Sequence, residues 1–243
     1  MIETEKRDWL GNAALFLVSV AGFVFVPSLV AKLINLLFKG HIDTNVLSII
    51  GGLVYIILMY LFYYKDLVKE AKIYKESFKE SFLTGLKYYF LGLMIMIISN
   101  IIITYIIKDV SANENAVRNI LYDAPILTMI NIVIIAPFTE ELLFRKSLMP
   151  LFKNKWIFAL ISALLFGGAH LIAGLSAFRL IDLLFLIPYG SLGFAFALAN
   201  SDTKTTYTSI SVHALHNLIT GLMLILIYFS GVAKWKRKKV ISF

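Results

Sequence analysis

The chain has 243 residues, of which 59% are apolar and only 16% are charged, and it contains no cysteine. Such an apolar share exceeds that of soluble domains and indicates a membrane protein with several spans, while the lack of cysteine excludes disulfides, thiolate metal sites and a cysteine nucleophile. The net charge of +8 comes from basic residues at the ends of apolar runs, a distribution that orients a protein in a membrane and does not suggest nucleic-acid binding.

The N-terminal half of the chain predicts three membrane spans, because about 20 apolar residues cross a bilayer. They cover roughly residues 10–38, 45–64 and 82–107. The first apolar stretch is much longer than the core of a signal peptide, so we expect it to be retained as a helix. The amphipathic connector between the second and third spans is expected to lie on lipid headgroups. It carries the lysines Lys65, Lys69, Lys72, Lys75 and Lys79.

The C-terminal half predicts four more spans after a polar loop at residues 108–123. The fourth span begins near Pro125 and ends at residues 153–155, and the fifth runs from Trp156 past His170. The last two cover roughly residues 180–199 and 207–231. We therefore predict an all-α fold, a polytopic transmembrane helical bundle of about seven spans, or eight with a re-entrant piece. Residues 1–243 are expected to form a single integral membrane domain.

The distribution of basic residues predicts the orientation, because the more basic side of a membrane protein is the cytoplasmic side. One set contains Lys6, Arg7, the five connector lysines, Lys146, Lys153, Lys155 and Lys204. The opposite set contains Lys39, Lys108, Arg118, Arg179 and the tail from Lys234 to Lys239. We expect the first set to be cytoplasmic, while the basic tail on the other side leaves the parity of the span count open.

Two adjacent glutamates, Glu140 and Glu141, stand inside the fourth apolar stretch. A carboxylate at bilayer depth is costly unless it is paired, so ionisable groups within a membrane indicate a functional site. Arg145 follows Glu141 by four residues, the spacing at which one helix face brings a carboxylate and a guanidinium together. This pair alone could be a structural ion pair that sets the helix register.

Later spans carry polar groups at a similar depth. At 1.5 Å per residue from the turn at 153–155, Glu140 lies roughly 20 Å and His170 roughly 22 Å into the membrane. Counted from the turn before the seventh span, Asn217 lies at about 20 Å and His213 at about 14 Å. We therefore expect three helices to contribute to one buried polar site.

Small residues and a proline accompany these groups. Pro137 removes a backbone hydrogen bond and could open the helix for water or a substrate strand. Gly167 and Gly168 precede His170 by a few residues and permit close helix approach. His216 is expected to be a packing residue, and His41 a loop residue.

Three motifs occur in order on successive spans: Glu140-Glu141-x-x-x-Arg145, Phe166-x-x-x-His170 and His213-x-x-x-Asn217. Together they resemble the signature of the CPBP intramembrane proteases, which include the bacterial Abi proteins and the type II CAAX prenyl endopeptidases. The resemblance covers roughly residues 124–225, the expected catalytic core. Lys146 stands where such proteins often have glycine, so local packing there is expected to differ.

The resemblance implies an endopeptidase that cleaves a peptide bond of a membrane-associated protein or peptide, in an integral membrane protein of the bacterial plasma membrane. Glu140 with a raised pKa could activate water as a general base, with His170 positioning the water or relaying the proton. Arg145 would keep Glu141 charged. His213 and Asn217 could donate hydrogen bonds to the oxyanion.

A metal mechanism could use the same residues. Glu140, His170 and His213 resemble a catalytic zinc set that leaves a position for water. We favour a glutamate-activated water without an obligatory metal and keep zinc as the alternative.

Other readings of the chain stay open as hypotheses. The chain lacks the HExxH motif of zinc metalloproteases, has no GxGD motif, and its Ser191 is expected to serve helix packing. A non-catalytic membrane protein for bacteriocin immunity or peptide signalling could use the glutamates to hold helices or a partner. A transporter is a third class, because buried carboxylates also mark proton pathways.

Overall fold

The structure is a computed structural model that describes residues 7–40 and 42–230. These residues form helices and no strands. The elements are α1 (Trp9–Leu37), α2 (Thr44–Phe62), α3 (Tyr64–Glu76), α4 (Phe78–Ile107), α5 (Ala112–Asp123), α6 (Pro125–Leu151), α7 (Lys155–Ser176), α8 (Leu180–Thr203) and α9 (Thr206–Phe229). Lys6, His41 and the tail from Lys234 to Lys239 lie outside the described residues, so what the sequence suggests for them stays a prediction.

Seven of the helices are long and apolar enough to cross a membrane: α1, α2, α4, α6, α7, α8 and α9. The predicted all-α transmembrane bundle is therefore confirmed, with seven spans in the described part of the chain. Many large apolar side chains on these helices are exposed, as expected for surfaces that face lipid.

The segments on either side of α4 are helical and are not simple loops. The amphipathic connector is the helix α3, and α4 begins directly after it at Phe78, earlier than predicted. The predicted polar loop 108–123 contains the helix α5, which is capped by Ser111 through a hydrogen bond from Glu114 N to its Oγ at 3.1 Å. The loop prediction was wrong because a short capped helix needs no long apolar run.

Helix starts and stops follow from local sequence. Asp8, Asp43, Asn154 and Thr205 each accept hydrogen bonds from the first turn of the following helix, which satisfies amide groups that a helix leaves without partners. Lys204 ends α8 with a positive φ of 56°. The short turn that results brings the start of α9 close to the end of α8.

The helices pack around α8. Its most extensive contacts are with α7 and α4, and α9 packs on α8, α6 and α4. Ser191 donates to the Gly92 carbonyl at 3.0 Å and so joins α8 to α4. The interior of this C-terminal bundle contains the polar groups of the motifs.

Ion pairs and hydrogen bonds distinguish the two ends of the bundle. At one end, Lys155 pairs with Asp202 at 2.6 Å and Trp9 Nε1 donates to the Leu151 carbonyl at 3.3 Å. At the other end, Arg179 lies 3.3 Å from Asp109. Two further basic residues of the set assigned to that side lie at α3, because Arg7 donates to the Phe62 carbonyl at 3.1 Å and Lys146 lies 2.6 Å from Glu70 Oε1.

Candidate active site

The helix α6, which carries both glutamates, is locally irregular. Its segment Asn131–Ile135 is a π-helical turn, in which Ala136 N donates to the Asn131 carbonyl five residues earlier. In this register the donor to the next carbonyl, that of Ile132, would be residue 137. That residue is Pro137, which has no N–H.

Asn217 of α9 takes the place of the missing donor. Its Nδ2 donates to the Ile132 carbonyl at 2.7 Å, so the carbonyl left over at Pro137 is satisfied by a side chain from another helix. The amide that the sequence suggested as an oxyanion donor therefore has a backbone partner within α6. Its position ties α9 to the helix of the glutamates.

Glu141 and Arg145 form the ion pair that their spacing predicted. Arg145 Nη1 donates to Glu141 Oε1 at 2.9 Å, and both side chains are fully buried. Arg145 Nη2 donates to the Gly193 carbonyl of α8 at 2.9 Å, and the guanidinium lies 4.6 Å from the ring centre of Phe166. One guanidinium thereby connects α6, α7 and α8.

The close packing of α7 leaves no room for a side chain at Gly193. A Cβ atom there would lie 3.1 Å from both Ala163 Cα and Phe166 Cδ1. The absence of a side chain lets α7 approach α8 closely. Phe166 can then cover the guanidinium while the Gly193 carbonyl accepts from it.

His213 of α9 contacts this pair. Its Nδ1 lies 2.8 Å from Glu141 Oε1. Because a carboxylate only accepts, Nδ1 carries the hydrogen, and in a neutral ring Nε2 is then the acceptor. The imidazole ring stacks on the Phe196 ring, with 5.0 Å between the ring centres, and packs edge to face with Phe166, with 5.7 Å between the ring centres. Glu141 and the two aromatic rings thus fix the orientation of the imidazole.

Glu140 lies across from the second nitrogen of that ring. Its Oε2 is 3.8 Å from His213 Nε2, which is too long for a direct hydrogen bond. This oxygen is buried and has no hydrogen-bond partner among the described residues. Such a gap between two polar atoms suits one water that bonds to both.

His170 lies one helical turn from Phe166. Its Nδ1 is 2.8 Å from the Phe166 carbonyl, and its ring stacks on Tyr189 at 4.7 Å. The Tyr189 hydroxyl is held by Ser111 Oγ at 2.8 Å. The Phe166 ring contacts both imidazoles, and its centre lies 4.6 Å from the centre of the His170 ring. His213 lies 3.8 Å from Glu140, and the pairing of Glu140 with His170 stays a prediction.

The suggested zinc set is not assembled as a group. In residues 7–40 and 42–230, no three histidine, aspartate or glutamate side chains are arranged to hold a metal ion. Glu140 and His213 face each other, but His170 is held by Phe166 and Tyr189. Zinc binding by these three residues stays a prediction.

Some residues of the site have no clear signal in the sequence. Gly193 contributes a backbone carbonyl, which no residue type reveals. Tyr189 and Phe196 are aromatic residues in an apolar helix and resemble ordinary core residues. A signal did exist for Glu70, since Asp66 and Glu70 are four apart among the connector lysines, and Glu70 is buried against Lys146 at 2.6 Å.

Comparisons with known proteins agree with the motifs. The family model described as type II CAAX prenyl endopeptidase Rce1-like matches residues 122–219. A Bacillus subtilis (strain 168) protein named "Putative membrane peptidase YdiL" is 28% identical over 184 residues, which cover 74% of this chain and 70% of that protein. The Lactococcus lactis subsp. lactis (strain IL1403) "UPF0177 protein YxdF" is 31% identical over 170 residues, covering 70% and 88% respectively. No solved structure matches the chain.

Proposed function

The chain belongs to the type II CAAX prenyl endopeptidase Rce1-like family, and on this premise we propose that it hydrolyses a peptide bond of a membrane-associated protein or peptide. It is an integral membrane protein whose relatives are bacterial. The substrate is expected to reach the site from the bilayer, because the polar groups are contributed by α6 and α9, both membrane-spanning helices.

The observation that carries the proposal is the unpartnered oxygen of Glu140. Buried carboxylate oxygens normally have a partner. Glu140 Oε2 faces His213 Nε2 at 3.8 Å. A water held by these two atoms would be oriented by the imidazole and activated by the carboxylate.

The reaction is balanced without a further reactant. Glu140 accepts a proton from the water while the water oxygen attacks the carbonyl carbon, and the carbonyl oxygen becomes an oxyanion. When the tetrahedral intermediate collapses, the C–N bond breaks and the proton on Glu140 passes to the departing nitrogen. The products are a new carboxyl terminus and a new amino terminus, and the carboxylate of Glu140 is restored.

The remaining residues have supporting roles in this proposal. Glu141, held by Arg145, keeps the proton on His213 Nδ1, so that Nε2 accepts the second hydrogen of the water. His170 has its Nδ1 engaged by the Phe166 carbonyl, which leaves Nε2 for positioning the water or relaying the proton. Asn217 acts through α6, because its amide bonds to the Ile132 carbonyl.

Replacement of Glu140 by glutamine tests the proposal. The purified protein is incubated with a library of membrane-associated peptides, with and without a chelator. Glu140→Gln is expected to lower hydrolysis by roughly 10²- to 10⁴-fold, the usual contribution of a general base. The matched control is Glu76→Gln on α3, whose carboxylate is 65% exposed, and it should leave the rate unchanged.

The alternative function is a non-catalytic immunity or scaffold protein. In that case no peptide would be cleaved by the wild type, and Glu140→Gln would leave protection or signalling in cells intact. Retention of hydrolysis by Glu140→Gln would also contradict the proposed mechanism. Loss of hydrolysis with chelator alone would favour the metal alternative.

A further inference from the structure

The residue after Arg145 is a buried lysine. Lys146 is 6% exposed, and its Nζ donates to Glu70 Oε1 at 2.6 Å and lies 3.4 Å from Asp66 Oδ2. Both acids belong to α3, the amphipathic helix between two spans. A buried ammonium group requires such partners, because the loss of water is costly for a charge.

Glu70 also contacts the helix that carries His213. Its Oε2 accepts from Thr206 N at 2.8 Å, and its backbone carbonyl accepts from Thr205 Oγ1 at 3.3 Å. Thr206 is the first residue of α9, where a carboxylate is favoured by the helix dipole. His213 follows about two turns later on the same helix.

The helices α6 and α9 are therefore connected at three levels, and the bond from Asn217 to the Ile132 carbonyl is the one farthest from α3. The inner connection is the contact of Glu141 with His213 at 2.8 Å. The outer connection is the chain of contacts from Lys146 through Glu70 to Thr206. Separated connections fix both the distance and the relative slide of two helices, and the outer one fixes them at the end that contains α3.

We infer that Glu70 and Lys146 are positioning residues that set the distance between Glu140 and His213. The inference rests on the proposed function for its consequence in catalysis, but its geometric part can be tested separately. Neither residue touches the proposed water. Both keep α6 packed against α9 at the end of the bundle that contains α3, because Glu70 of α3 contacts both helices.

The test uses Lys146→Met and Glu70→Gln in the full chain. Glu70→Gln keeps an oxygen for the Thr206 amide and leaves Lys146 beside Asp66, so it remains informative if Lys146→Met does not fold. The matched control is Lys155→Met, because Lys155 pairs with Asp202 at the same distance of 2.6 Å and the same end of the bundle. That pair joins α7 to α8 and does not touch α3.

The first measurement does not depend on activity. The chain has four histidines, so the ¹⁵N signals of the imidazole rings can be assigned individually in detergent micelles. Lys146→Met and Glu70→Gln are expected to shift the His213 signals, while Lys155→Met leaves them in place. Unchanged His213 signals in both folded variants would overturn the inference.

The second measurement is peptide hydrolysis. A small displacement of the base from its water is expected to lower kcat by roughly 10- to 100-fold with KM nearly unchanged. An unchanged kcat in these variants, with an active wild type, would also overturn the inference. If the wild type cleaves no peptide, the proposed function fails, and the His213 signals still decide whether Glu70 and Lys146 position the helices.

Discussion

At the scale of single residues, the fully buried Arg145 has the most demanding environment. One edge of its guanidinium bonds to Glu141 and another to the Gly193 carbonyl, while its face lies on Phe166. A planar fork with donors on several edges can make all of these contacts, and an ammonium cannot. The residue type therefore follows from geometry as well as from charge.

Arg145→Lys is expected to lower the free energy of unfolding by about 2 kcal/mol, since lysine would leave either the Gly193 carbonyl or Glu141 without its donor. Unfolding by heat or denaturant in detergent measures the change. The control is Arg118→Lys, because Arg118 pairs with Glu114 at 2.8 Å and the same four-residue spacing but is 24% exposed. That control should change stability by less than about 1 kcal/mol. Equal effects of the two substitutions would contradict the argument.

At the scale of elements, α6 and α9 depend on each other. The π-helical turn and Pro137 leave the Ile132 carbonyl without a backbone donor, and Asn217 supplies one. The irregularity of α6 is thus stabilised by a side chain of α9. The same two helices carry Glu140 and His213.

Pro137→Ala restores a backbone N–H five residues after Ile132. We expect Asn217→Ala to destabilise the wild type by about 1 kcal/mol or more, because a buried carbonyl loses its partner. In a Pro137→Ala background the same substitution should cost less, since the new N–H can bond to that carbonyl. A double-mutant cycle of unfolding free energies measures this coupling. Strictly additive effects would contradict the shared acceptor.

The packing of α7 on α8 gives a second prediction at this scale. A Cβ atom at Gly167 would lie 2.9 Å from Leu186 Cδ1 and 3.1 Å from Gly190 N, whereas a Cβ at Gly168 meets no atom within 4 Å. Gly167→Ala should therefore lower the melting temperature. Gly168→Ala should maintain or raise it, because alanine favours a helix by about 1 kcal/mol over glycine. The reverse order would show that the helices are packed differently.

At the scale of the whole molecule, seven helices that can cross a membrane are expected to place residues 7 and 230 on opposite sides of it. The end that contains α3 also contains Arg7, Lys146 and Lys155. The opposite end contains α5 and Arg179. By the rule that basic loops stay inside, the α3 end is expected to be cytoplasmic.

The chain has no cysteine, so single cysteines can report the orientation. Lys72→Cys on α3 and Ala116→Cys on α5 both occupy exposed positions. A membrane-impermeant thiol reagent added to intact cells should label Ala116→Cys and leave Lys72→Cys unlabelled until the cells are opened. The opposite pattern would reverse the orientation, and labelling of both in intact cells would contradict the seven-span count.

The amino-acid sequence by itself determined the fold class, because the length and apolarity of each run leave the chain few alternatives in a bilayer. It also predicted the contact of Glu141 with Arg145, since a spacing of four on one helix depends only on the helical period. Only the tertiary structure decided that His213 faces Glu140, that Asn217 bonds to Ile132 and that Glu70 holds Lys146. These contacts join different helices, and their tilt and slide are set by packing over whole surfaces, which no spacing along one helix encodes.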